Sequence, residues 1–172
     1  MTRYVALLRA VNVGGTGKLP MADLKKLCAD AGFTAVESYI ASGNVVFTSK
    51  AGEAAVKARL EAALHTYARK PVGVVIRTAA EMAGVVRQNP FKREKPNYTY
   101  AIFLDGKPPR DALDTATGQS DEIVKLGARE IFVAYPSGMG RSKLKIPAAK
   151  AGTARNMNTV AALAEMAAKK ET

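Results

Sequence analysis

Apolar and polar positions change period several times along the chain. Residues 3–11 (RYVALLRAV) are rich in β-forming side chains and predict a strand. The stretch NVGGTGKLP then breaks the pattern with three glycines and Pro20. Pro20 suits the first turn of a helix, where a missing N–H costs nothing. That helix is predicted from about Met21 to Ala31, with Met21, Leu24, Leu27, Cys28 and Ala31 on one face and Gly32 as its stop. Two apolar runs, Val36, Tyr39, Ile40 and Val45, Val46, Phe47, flank Ser42-Gly43-Asn44 and predict a β-hairpin. A second helix follows over about Glu53 to Arg69, with Val56, Leu60, Leu64 and Tyr67 on one face, and Val72 to Ile76 reads as a strand. The order β-α-β-β-α-β is the ferredoxin-like, split βαβ pattern.

Residues 79–172 read as a related unit. Ala79 to Gln88 predicts a short helix, Asn89 to Asn97 a polar loop, Tyr98 to Leu104 a strand, and Pro108 to Thr117 a short helix or turn. Glu122 to Leu126 and Glu130 to Tyr135 form a hairpin around Gly127. The loop PSGMGRSKLKIP precedes a last helix over about Asn156 to Lys169, with Met157, Val160, Ala161, Leu163, Ala164 and Ala167 facing inward. This α-β-α-β-β-α order resembles the first half without its closing strand. Strand 1 is apolar on both faces, Val5, Leu7 and Val11 on one and Tyr4, Ala6, Leu8 and Ala10 on the other, so both faces of its sheet should be covered. The expectation is an α+β protein of two fused subdomains, ferredoxin-like over 1–78 and a second α/β unit over 79–172, packed as one structural unit.

The 172 residues are 48% hydrophobic and 24% charged, a globular composition. Lys and Arg number 26 against 15 Asp and Glu, a net charge of +11 that favours anionic partners. One Cys and one His exclude an internal disulfide and the usual nitrogen and sulfur metal clusters. No metal is therefore expected, and no cofactor is expected either. The first apolar run is cut by Arg9, too short for a signal peptide, and no window reaches the roughly 18 apolar residues of a membrane span. These features predict a cytoplasmic protein without a membrane partner.

Candidate chemistry concentrates in loops. Asn12, Gly14, Gly15 and Lys18 lie between strand 1 and helix 1, where glycine amides and a helix start suit an anion. The loop is neither a P-loop, since Leu19 stands where Ser or Thr is needed, nor a Rossmann turn, since Pro20 takes the last glycine position. Asn44 can reach a ligand from the hairpin turn. Arg141, Ser142 and Lys143 lie in a window without a carboxylate from Glu130 to Glu165, which also holds Lys145, Lys150 and Arg155 and implies a positive local field. Arg155, Asn156 and Asn158 open the last helix, where Thr153 or Asn156 can cap and Arg155 can clamp an anion. His65 lies off its helix's apolar face and Cys28 on the buried face of its own, so no nucleophile–base pair and no general base can be named.

The runs ALLRAVNVGGTGKLPM at 6–21, YIASGNVVF at 39–47, NPF at 89–91, GMGRSKL at 138–144 and RNMNTV at 155–160 resemble, in this order, the bacterial proteins grouped as domain of unknown function 1697. The resemblance implies two α+β subdomains, the first ferredoxin-like, and carries no activity with it. It matches Asn12, Gly14, Gly15, Lys18, Ser42, Gly43, Asn44, Ser142, Lys143, Arg155, Asn156, Asn158 and Thr159 to that family's motifs. Met157 stands where the family has Trp, which removes an indole stacking face. Three functions remain in play. A small phosphate- or carboxylate-bearing ligand suits the glycine-rich and basic loops. Nucleic-acid binding suits the charge and a ferredoxin-like half offering Tyr4 and Phe47 on its strands. A protein-interaction module would use the Asn89–Asn97 loop and the Ala-rich last helix.

Overall fold

The computed structural model describes residues 1–9, 19–39 and 43–169. The chain divides into two compact units, Met1–Ala83 together with the last helix from Leu163 onward, and Gly84–Ala162. The first unit contains β1 (Thr2–Leu8), α1 (Met21–Asp30), β2 (Thr34–Ser38), β3 (Asn44–Ser49), α2 (Glu53–Ala68) and β4 (Val74–Thr78). Its sheet has the order β2-β3-β1-β4, all neighbours antiparallel, which is the ferredoxin-like arrangement.

Side-chain alternation explains the core. Tyr4, Ala6 and Leu8 of β1, Val45 and Phe47 of β3, and Val74 and Ile76 of β4 share one face. Against them pack Leu24 and Cys28 of α1 and Val56, Leu60 and Leu64 of α2, residues spaced at helical intervals. Phe33 stacks on Phe47 with ring centroids 4.2 Å apart. The opposite face, with Val5, Leu7, Val46, Val75 and Arg77, is buried as well, as the doubly apolar β1 requires. Two residues expected on apolar helix faces lie outside the core. Met21 is partly exposed, and Tyr67 turns outward so that its hydroxyl can donate to Asp23 Oδ2 at 2.6 Å. The edge strand β4 is tied to α2, because Lys57 Nζ donates to the Val74 carbonyl at 2.7 Å and Glu61 accepts the Val74 N–H at 3.0 Å.

The elements of 79–168 are α3 (Ala79–Gln88), β5 (Thr99–Phe103), β6 (Ile123–Leu126), β7 (Glu130–Ala134), β8 (Thr153–Asn156) and α4 (Met157–Ala168). The sheet order β6-β7-β5-β8 repeats the first, strand for strand in chain position, again antiparallel throughout. The closing strand, absent from the sequence reading, is β8: Thr153 to Asn156 pair with β5 instead of only leading into the last helix. Of the short helix or turn expected over Pro108 to Thr117, the turn is what forms. Its N–H groups reach three residues back, Ala112 to Pro109, Asp114 to Asp111 and Ala116 to Leu113, a chain of turns. Asp and Thr side chains compete for backbone partners there, and the segment opens on two prolines that lack an N–H. The segments 104–122 and 135–152 thus stand where the first unit has helices. Leu144, Ile146, Ala148 and Ala149 cover the face formed by Tyr100, Ile102, Leu104, Ile131, Val133 and Tyr135. In α4, Met157, Val160, Leu163, Ala164 and Ala167 are buried, whereas Ala161 is exposed. Among the described residues, no helix is long and apolar enough to cross a membrane.

Candidate functional site

The basic loop acquires a fixed shape from a segment distant in sequence. Thr117 and Lys145 exchange both backbone hydrogen bonds, at 2.9 and 2.8 Å. Gly118 then passes so close to the Lys143 carbonyl that a β-carbon would stand 2.1 Å from its oxygen. This approach brings Asp121 and Glu122 to the loop. The Ser137 hydroxyl donates to Asp121 Oδ2 at 2.5 Å. The Ser142 hydroxyl donates to Glu122 Oε2, and its oxygen accepts the Leu144 N–H at 3.1 Å. Glu122 Oε1 accepts the Ser120 N–H at 2.6 Å. Hydrogen bonds from Ser142 and then from Ser120 hold the Glu122 carboxyl below its ordinary 4.5. Tyr135 lies against the same group. Burial, then the Glu122 charge, pushes its phenol above 10.

The window is therefore acid-free in sequence but not in space, and its field is weaker than a count of cations along the chain implies. Two carboxylates enter it, and both are engaged by serines. Three cations, Arg141, Lys143 and Lys145, stay exposed, and no ion pair among the described residues engages them. Backbone bonds from Gly138 N–H to Tyr135 O at 2.8 Å and from Arg141 N–H to Gly138 O at 3.3 Å pin the start of the loop.

The other anticipated residues have different places. Asn44 is only 1% exposed and closes the neck of the first hairpin, its Nδ2 donating to Tyr39 O at 3.1 Å while its own carbonyl accepts the Tyr39 N–H at 3.1 Å. Arg155 belongs to β8 and not to the helix start. It is 8% exposed, and its Nη1 donates to Thr153 Oγ1 at 2.6 Å and to the Ala154 carbonyl at 2.9 Å. Burial draws its pKa down to about 10, which leaves it charged at neutral pH. Arg155 stands opposite Ala101 on β5, whereas Tyr100 and Ile102 of that strand face the cover formed by 144–149. Alternation thus puts the Arg155 side chain and that cover on opposite faces of the sheet. Asn156 caps α4, accepting the Thr159 N–H on Oδ1 at 2.9 Å, and Asn158 is exposed on its first turn. Asn12, Gly14, Gly15, Lys18 and Ser42 lie outside the described residues. Sequence reasoning missed Gly118, Glu122 and Tyr135, since nothing in local spacing links them to Ser142.

The family described as protein of unknown function (DUF1697) matches residues 1–132. The chain belongs to that family. The GMGRSKL and RNMNTV runs of this DUF1697 protein lie beyond the matched residues. Among solved structures, the DUF1697 chain is similar to a conserved bacterial protein, SP0830 from Streptococcus pneumoniae, at 26% identity and a TM-score of 0.80, over 96% of this chain and 98% of that one. No curated protein matches it.

Proposed function

We propose that this DUF1697 protein binds a small phosphate- or carboxylate-bearing ligand on the loop 137–145. The observation that carries the reading is the pairing of a hydrogen-bonded loop frame with three exposed cations, Arg141, Lys143 and Lys145, that no ion pair among the described residues occupies. A loop backbone fixed before binding need not be ordered when its side chains capture an oxyanion. Nucleic-acid binding through an aromatic sheet platform is disfavoured, because Tyr4 and Phe47 are buried beneath α1 and α2.

A thermal-shift and titration series on the full chain tests the proposal with inorganic phosphate, ribose 5-phosphate, citrate and a short DNA duplex. A ligand at 100 times its Kd adds about 2.7 kcal/mol. A small oxyanion should stabilise the protein, and the double variant Arg141→Ala, Lys143→Ala should lose that effect while keeping its fold. Binding by duplex alone, weakening steeply with salt, would replace the small-ligand reading with a nucleic-acid one.

A further inference from the structure

Beside the basic loop lies a cavity of about 140 Å³, walled by Glu94, Lys95, Tyr98, Ala134, Tyr135 and Pro136. We infer that it holds the ring of a free pyrimidine nucleotide, cytidine 5′-monophosphate in type, whose phosphate rests on Arg141 and Lys143. The inference rests on the anion-binding reading above and names its ligand class.

Size selects the ring. A cavity of about 150 Å³ admits benzene, so this one has room for a single six-membered ring and leaves the second ring of a purine outside its walls. Tyr98, 38% exposed, and Pro136 supply flat apolar surface of the kind on which bases stack. Polar groups suit a pyrimidine edge. Glu94 is an acceptor and Lys95 a donor, and cytosine presents an amino group beside a ring carbonyl. Lys95 Nζ stands 5.6 Å from the Tyr98 ring centre, which keeps its charge at the cavity wall.

Charge sets the orientation. Glu94 and Lys95 offset each other, so the cavity suits a neutral ring. Arg141 and Lys143 carry two positive charges, which match a phosphate monoester of about −1.5 to −2. The two places are joined by a short run of backbone bonds. Tyr135 N–H donates to Tyr98 O at 2.8 Å, Gly138 N–H to Tyr135 O at 2.8 Å, and Arg141 N–H to Gly138 O at 3.3 Å. Each of the last two spans one turn, so the Arg141 and Tyr135 α-carbons lie within about 14 Å. A ribose phosphate and an extended arginine side chain can together cross that gap.

The test is calorimetric titration of the full chain with cytidine 5′-monophosphate, adenosine 5′-monophosphate, ribose 5-phosphate and oligocytidine. Cytidine 5′-monophosphate should bind at least tenfold more tightly than ribose 5-phosphate. Tyr98→Ala should abolish that difference and leave ribose 5-phosphate binding unchanged, whereas Arg141→Ala should weaken both ligands alike. Should Tyr98→Ala fail to fold, Glu94→Gln should still narrow the difference. Equal binding of cytidine 5′-monophosphate and ribose 5-phosphate would overturn the ring assignment but not the anion reading. Failure of every phosphate ligand would overturn the nucleotide assignment, and failure of citrate as well would overturn the anion reading. Adenosine 5′-monophosphate matching the cytidine nucleotide would refute the size argument, and oligocytidine binding without the mononucleotide would refute a free ligand.

Discussion

Replacing Gly118 with alanine tests whether the frame of the basic loop depends on close backbone approach. Gly118 has φ of 73°, and a β-carbon on it would stand 2.1 Å from the Lys143 carbonyl oxygen and 2.8 Å from its carbonyl carbon. The left-handed conformation alone costs a residue with a β-carbon about 1–2 kcal/mol. The obstacle is backbone, so no side-chain rotation relieves it. Relief requires separating 117–118 from 143–145, which breaks the two hydrogen bonds between Thr117 and Lys145. At a net value of about 1 kcal/mol each, the substitution should destabilise the protein by about 3–4 kcal/mol. Two other glycines calibrate the argument. Gly138 has φ of 88° and ψ of 143° with nothing within 4 Å of where a β-carbon would stand, so Gly138→Ala carries backbone strain without the clash, about 1–3 kcal/mol. Gly106 has neither, and Gly106→Ala should stay within about 0.5 kcal/mol of the parent. Urea denaturation followed by circular dichroism should rank the three in that order, and phosphate affinity should fall most in Gly118→Ala. Equal stability of the Gly118 and Gly138 variants would refute the close-approach argument.

Two further expectations concern titrating groups. The Cys28 thiol, buried in the first core and pushed up to about 12 by burial, should resist alkylation in the native protein at pH 8 and react at the rate of unfolding; fast labelling without denaturant would contradict this packing. Glu122 has a carboxyl held below 4.5 by Ser142 and Ser120, so its contribution to stability is complete above that value and is lost as pH falls through the lowered folded one. Stability should drop on acidification below about pH 4.5, and Glu122→Gln should be less stable at pH 7 with a shallower acid dependence. An unchanged acid profile in the variant would remove Glu122 from the loop frame.

The helices α1 and α2 and both hairpins were legible because their signals are local. Leu24 and Cys28, or Val56, Leu60 and Leu64, repeat at a spacing that only a helix turns to one side. Gly127 between two apolar runs marks the second hairpin as clearly, and its N–H donates to Glu130 O at 2.7 Å. β8 was not legible. Thr153-Ala154-Arg155-Asn156 has no strand pattern of its own and is extended because β5 offers it a free edge. The same absence of a local signal moved Arg155 from a helix start into a sheet.

The candidate site divides along the same line. Composition and charge determined that the 137–145 loop is basic, and the sequence placed Arg141, Ser142 and Lys143 together simply because they are adjacent. Only the tertiary structure brought Glu122 to Ser142, set Gly118 against Lys143, and put the Arg155 side chain on the opposite face of the sheet from the 144–149 cover. Propensity and periodicity act over a few residues, whereas strand pairing and charge neutralisation join residues that the chain keeps far apart. A field inferred from neighbours in sequence therefore omits the carboxylates that folding delivers.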